Sequence, residues 1–201
     1  MGTFLGPAPT ITPDEITEEM LSKYQCIYIE GYLLVNEPLV RSTMEKAKKL
    51  GLKVALDLSN FNIVNAFKGM LEDIIPKYVD ILFSNESEAE AFTGQKAAEA
   101  VHTLSELVEV SLVTLGKEGA LIGSHGQFYS VPAEGGKPVD TTGAGDNFAA
   151  GFLYGQSIGA SLVQSARIGS MLAGYVIDVV GPEIPYNKWE QIKLKVNSIL
   201  S

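Results

Sequence analysis

Cysteine is almost absent from this chain. Cys26 stands alone in 201 residues, which excludes an internal disulfide framework and a multi-cysteine zinc site. Positive charge is also scarce: 15 Lys and Arg against 24 Asp and Glu give a net charge of −9, the wrong balance for a general nucleic-acid binder. No apolar run approaches the roughly 18 residues of a membrane span. The first residues show neither the basic nor the apolar region of a signal peptide. Met1-Gly2 hints at myristoylation, but Gly6 stands where that motif wants Ser or Thr. The two histidines, His102 and His125, share no metal-ligand spacing. The P-loop pattern GxxxxGK[ST] is missing, as is the three-glycine dinucleotide fingerprint. These absences leave an acidic chain expected in a reducing, cytoplasmic setting.

What is present is alternation. Cys26–Tyr32, Lys53–Leu58, Asp80–Ser84 and Glu109–Leu115 read as strands. Gly119–Ser124 and Gln127–Val131 read as a hairpin around Ser124-His125-Gly126. Helices are expected at Pro38–Leu50, with Gly51 as the stop, and at Asn65–Ile75, ended by Pro76. Further helices fall at Asn85–Phe92, Ala97–Val108, Ala144–Tyr154, Leu162–Val179 and Lys188–Leu200. Strands alternating with helices of this length predict βαβ units, hence an α/β fold with a mostly parallel central sheet and helices on it. Residues 1–25 read as an irregular entry, with a helix start at Thr12-Pro13-Asp14-Glu15, and 26–201 as the α/β core. Ligands of such sheets bind beyond the carboxyl ends of the strands.

Three segments at those ends carry chemistry. Asp140-Thr141-Thr142-Gly143-Ala144-Gly145-Asp146 leads into a helix rich in small residues. A helix start offers unpaired N–H groups at the positive end of the helix dipole, and glycine lets an anion approach. A carboxylate beside an anion site suits proton abstraction from a hydroxyl attacking a phosphate. Packing glycines and an ordinary first-turn acid account for the same residues equally well. Asn85-x-x-Glu88 places hard oxygens that suit Mg²⁺ on one face of a helix start, but taken alone ordinary helix capping is the better account of it. Thr114-x-Gly116-x-x-Gly119 lets backbone approach a ligand, or simply turns into the hairpin. Asp57, at a strand end, and Cys26, opening an apolar strand, read as structural.

Together and in this order, the three segments resemble the ribokinase (PfkB) family of carbohydrate and nucleoside kinases. Asp140–Leu153 (DTTGAGDNFAAGFL) looks like its C-terminal signature, Asn85-x-x-Glu88 like its NxxE motif, and Thr114–Gly119 like its TxGxxG. Tyr28–Tyr32, Ala55–Ser59 and Ile81–Glu86 look most like adenosine-kinase-like members. The resemblance implies a three-layer, Rossmann-like fold and ATP-dependent transfer of a phosphoryl group to a sugar or nucleoside hydroxyl. It implies Asp146 as catalytic base, with Gly143, Ala144 and Gly145 forming a backbone anion hole. Asn85 and Glu88 would serve the Mg²⁺–phosphate network. Thr114, Gly116 and Gly119 would line the nucleotide site, with Ser170 at the adenine pocket. Some relatives bind a monovalent cation such as K⁺ through backbone oxygens near positions matching Asp140, Thr142 and Gly181. The family's N-terminal Gly-Gly signature and small β-sheet lid have no match here, and Thr3–Pro9 resembles the exit from that lid. The expectation is therefore a C-terminal fragment, or a natural truncation, holding the ATP half, with exposed apolar edges that favour a homodimer. Two alternatives stay open: a nucleotide-binding module without catalysis, and a kinase of a vitamin-like heterocyclic alcohol.

Overall fold

The computed structural model describes residues 6–7, 10–135 and 137–201. Most of the Thr3–Pro9 stretch, which resembles a lid exit, lies outside the described residues. The chain resolves into two compact units, Met1–Val113 with Gly123–Gln127, and Thr114–Ile122 with Phe128–Ser201.

The first unit opens with a 3-10 turn, Pro13–Glu15, and a single helical turn, α1 (Glu18–Leu21). Both are held on α2 (Glu37–Lys49), whose Lys46 Nζ donates to the carbonyls of Pro13 (2.6 Å) and Ile16 (2.8 Å). Between them runs β1 (Cys26–Glu30), which ends two residues short of the expected Tyr32. The chain turns at Gly31 because it passes so close to the next strand that a Cβ there would lie 2.7 Å from the Leu58 carbonyl oxygen. A 3-10 segment, Gly31–Val35, follows. β2 is Lys53–Asp57 and β3 is Ile81–Asn85. β1 pairs with β2 and β2 with β3 in parallel, Cys26 opposite Lys53 and Ala55 opposite Ile81.

The β2–β3 crossover differs from the sequence expectation. It holds two helices, α3 (Phe61–Ala66) and α4 (Lys68–Tyr78), parted at Phe67. Pro76 does not end α4; it sits inside the last turn. A proline there forfeits only the bond back to residue 72, and the flanking Ile74, Ile75 and Val79 are buried and hold the turn in place. α5 (Glu86–Thr93) ends at Gly94 in the left-handed region, and α6 (Ala97–Ser105) leads to β4 (Val110–Thr114). Cys26 is half-buried at the start of β1, where burial pushes its thiol pKa up.

β5 (Ala120–Ser124) and β6 (Gln127–Val131) complete a mostly parallel six-stranded sheet ordered β1-β2-β3-β4-β5-β6. The second unit is otherwise helical: α7 (Ala144–Ser157), α8 (Leu162–Val176) and α9 (Trp189–Leu200). Ile168, Met171, Leu172 and Val176 of α8 pack with Ile192, Val196 and Ile199 of α9. α7 and α8 touch backbone to backbone. A Cβ on Gly151 would lie 2.7 Å from Gly169 Cα, and one on Gly169 would lie 2.5 Å from the Phe148 carbonyl oxygen. Such an approach leaves α7 little freedom to slide, so its first turn is fixed by packing well away from it. Among the described residues no helix is long and apolar enough to cross a membrane.

Candidate functional site

In the first unit the strand ends gather polar groups. Asn85, the last residue of β3, caps α5 in a reciprocal box. Its Oδ1 accepts the Glu88 N–H (3.0 Å), while Glu88 accepts the Asn85 N–H (2.8 Å) and the Asn85 side-chain amide (2.7 Å). Glu88 is 4% exposed. Burial raises its pKa to about 7; the bond from the Asn85 backbone opposes the rise, the Asp57 charge adds to it, and the Asn85 side chain opposes it. Asp57, dismissed as isolated on sequence grounds, thus lies within electrostatic reach of the NxxE pair. Its carboxylate accepts from Tyr28 Oη (3.1 Å) and the Ser59 N–H (2.6 Å). Ser59 in turn takes a positive φ of 62° and accepts the Gly31 N–H at 2.7 Å. No sequence motif announces this chain of contacts, because its members sit on separate strands.

The raised Glu88 pKa makes a signed prediction. A carboxyl near 7 when folded and at its ordinary 4.5 when unfolded holds its proton more tightly in the folded state. Its contribution to stability is full below about 4.5 and is lost as pH rises through 7. Glu88→Gln cannot titrate, and its mismatched contact with the Asn85 amide is a constant offset. In metal-free and nucleotide-free buffer, the variant's melting temperature minus that of the parent should therefore rise between pH 5 and pH 8, by about 5 °C. A difference independent of pH would show that Glu88 is ordinarily ionised.

In the second unit Thr114 ends β4, and Gly116–Glu118 form a 3-10 turn. The two motif glycines differ. Gly116 has φ +55° and open space where a Cβ would be. Gly119 has φ +103°, and its Cβ would lie 1.9 Å from the Val131 carbonyl oxygen. Ser170, on α8, reaches the same segment. Its hydroxyl donates to the Pro132 carbonyl (2.8 Å) and accepts the Glu134 N–H (3.0 Å). Gly119 and Ser170, far apart in sequence, therefore both hold the stretch after β6, and the Ser170 hydroxyl is engaged by protein.

The 140–146 loop precedes α7. Gly143 caps the helix with φ +78° and no side-chain bond. The Ala144 amide donates to the Thr141 carbonyl (3.2 Å). The amides of Gly143, Gly145 and Asp146 have no partner among the described residues. Gly145 and Asp146 are exposed, and a Cβ on Gly145 would meet nothing within 4 Å. The Asp140 carboxylate accepts from Gly181 N (2.9 Å), Thr142 N (2.9 Å) and Thr142 Oγ1 (2.7 Å), bonds that hold its pKa below the usual carboxylate value. Asn147, passed over in the sequence reading, donates from Nδ2 to the carbonyls of Gly143 (2.9 Å) and Pro182 (3.3 Å).

A helix start that presents amides, an accessible carboxylate and an uncrowded glycine has the chemistry to receive an anion. The chain belongs to the pfkB family of carbohydrate kinases, whose model matches residues 2–189. It is 32% identical to the adenosine kinase of Saccharomyces cerevisiae, over 92% of this chain and 59% of that protein. The structure of adenosine kinase from Sinorhizobium meliloti superposes with a TM-score of 0.85 at 29% identity, over 91% of this chain and 59% of that one. Anopheles gambiae adenosine kinase, in complex with P1,P4-di(adenosine-5) tetraphosphate, gives 0.78 at 25% identity, over 86% and 57%. The chain thus spans less than three fifths of these relatives, and its fold is ribokinase-like.

Proposed function

We propose that this chain carries the ATP-binding half of a kinase that transfers a phosphoryl group to a sugar or nucleoside hydroxyl, with a nucleoside favoured by the adenosine kinases among its relatives. The observation that carries the reading is the start of α7. Asp146 is exposed in the first turn, beside amides of Gly143 and Gly145 that no described protein group accepts. Those amides hold the charge that develops on the transferring phosphoryl group, and the short Ala144 side chain leaves access to them. Asp146 takes the proton of the attacking hydroxyl. Gly116 gives the nucleotide room at the turn after Thr114. Gly119 and Ser170 act on the nucleotide site through the 131–134 segment.

Asn85 and Glu88 fit Mg²⁺ held through its waters. Direct ligation would break their capping box, and Mg²⁺ keeps most of its water in such sites. The ion would supply charge neutralisation on the ATP phosphates. Asp57, and Glu88 once ionised above about pH 7, provide the negative field that draws it. A monovalent cation belongs at the carbonyls of the 140–142 and 181 loops, which the ionised Asp140 ties together.

Calorimetry on the folded chain tests the reading. Adenine nucleotide should bind, more tightly with Mg²⁺; absence of binding in both conditions would refute it. Gly145→Ala sharpens the test. With no packing demand at that position, alanine should raise helix stability by about 0.5–1 kcal/mol. If the glycine exists to admit phosphate, the same variant binds nucleotide at least severalfold more weakly. A more stable variant with unchanged affinity would reduce Gly145 to an incidental residue.

A further inference from the structure

The turn at Gly181–Pro182 follows α8 and is fastened to the phosphate loop from two sides. Asp140 Oδ2 accepts the Gly181 N–H at 2.9 Å. Asn147 Nδ2 donates to the Pro182 carbonyl at 3.3 Å. Between these hooks, Pro182 presses on the helix cap, and its Cβ lies 2.7 Å from where a Gly143 Cβ would be. Asn147 is doubly committed: the same Nδ2 donates to the Gly143 carbonyl (2.9 Å), which also accepts the Asn147 N–H (2.9 Å). Gly143 has no side chain with which to fix its own geometry, and its left-handed φ of 78° is open to many alternatives.

We propose that Asn147 is a positioning residue, which docks the Gly181–Pro182 turn against Gly143 and so aims the Gly145 amide and the Asp146 carboxylate. The inference rests on the phosphotransfer reading above. Two features distinguish it from simple helix stabilisation. A mid-turn Asn needs only the Gly143 carbonyl to satisfy its amide locally, whereas this one also reaches a carbonyl 35 residues away. The α8–α9 core contains neither Gly181 nor Pro182, although it holds the chain two residues further on at Ile184 and Ala144 packs against it, so undocking is confined to the Gly181–Pro182 turn.

Asn147→Ser separates the two jobs. A serine hydroxyl can bond back to the Gly143 carbonyl four residues earlier but cannot reach Pro182. Asp140→Asn removes the other hook, because an amide NH₂ then faces the Gly181 N–H. In the whole protein, each variant should lower kcat, measured per folded molecule well below its melting temperature, by on the order of 10- to 100-fold, as misplacement of reacting groups does. Nucleotide Kd should change less than kcat does, since the phosphate amides are tilted rather than removed and their alignment matters most in the transition state. The double variant should be little worse than either single one, because one lost hook already frees the turn. A readout independent of catalysis is amide exchange at Gly181, which Asn147→Ser should accelerate although Asp140 is intact. Unchanged Gly181 exchange, or single effects that multiply in the double variant, would overturn the inference. An inactive parent protein would instead overturn the phosphotransfer reading, and the exchange result would still decide whether Asn147 docks the turn.

Discussion

Asp146→Asn should lower kcat by about 10²–10⁴-fold in the whole protein, the usual consequence of losing a general base. Nucleotide affinity should stay within a few-fold, because the amides of Gly143 and Gly145 belong to the backbone and do not depend on the carboxylate. Asparagine preserves the shape and loses the acceptor charge. It also removes an acid from the first turn of α7, worth about 0.3–1 kcal/mol against the helix dipole. That loss is a few degrees in melting temperature for a chain of this size. Turnover separates the two roles: the melting temperature falls slightly in either case, but a mere capping acid leaves turnover per folded molecule intact, whereas a base does not. The measurement is kcat on a panel of sugars and nucleosides, with melting temperature and nucleotide Kd on the same samples. A single phosphorylated acceptor with unchanged kcat would remove Asp146 from the chemistry.

The residues of this site differed in how far sequence alone could assign them. Asp146 and the glycines before it stand out in sequence because a helix start needs consecutive residues, and the proposed anion site lies within one stretch. Asn85 and Glu88 were legible for the same reason, since a capping box is local. Asp57 was not: its relation to Glu88 arises only when β2 and β3 lie side by side, and a lone acid at a strand end looks like any other. Asn147 stood within a recognised segment, yet its partner Pro182 is remote in sequence. Ser170 was placed by resemblance at a ligand pocket, and its hydroxyl proves engaged by Pro132 and Glu134. The same logic covers the fold. Strand–helix alternation is periodic and local, so the sheet could be foreseen. The early end of β1 and the survival of α4 past Pro76 depend on tertiary contacts at Leu58 and around Ile75, which no periodicity records.

Gly119→Ala should destabilise the second unit by more than about 3 kcal/mol, and Gly116→Ala by only about 1 kcal/mol. The two share a motif and both have positive φ, so resemblance alone treats them alike. At Gly116, φ +55° is the ordinary left-handed region, which alanine enters at modest cost, and nothing stands within 4 Å of its Cβ. At Gly119, φ +103° with ψ −130° is a region that side chains avoid, and three backbone atoms crowd the added carbon. They are the Val131 carbonyl oxygen at 1.9 Å, the Pro132 carbonyl carbon at 2.7 Å and the Ala133 nitrogen at 2.8 Å. Backbone cannot rotate away as a side-chain tip can, so either the turn opens or the 131–134 segment moves. Neither is cheap. The Gly119 carbonyl accepts the Leu115 N–H (2.8 Å), and the segment is pinned on its other side by Ser170 and by Gly174, where a Cβ would lie 1.8 Å from the Glu134 carbonyl oxygen. Thermal unfolding should show Gly119→Ala about 10 °C or more below the parent, or unfolded at room temperature by circular dichroism. Gly116→Ala should melt within a few degrees of the parent and still bind nucleotide more weakly, because its methyl enters the space left for the ligand. Equal melting temperatures for the two variants would mean that the strand-end turn does not approach Val131 as described, and Gly119 would then have to be explained by the ligand instead of by the chain.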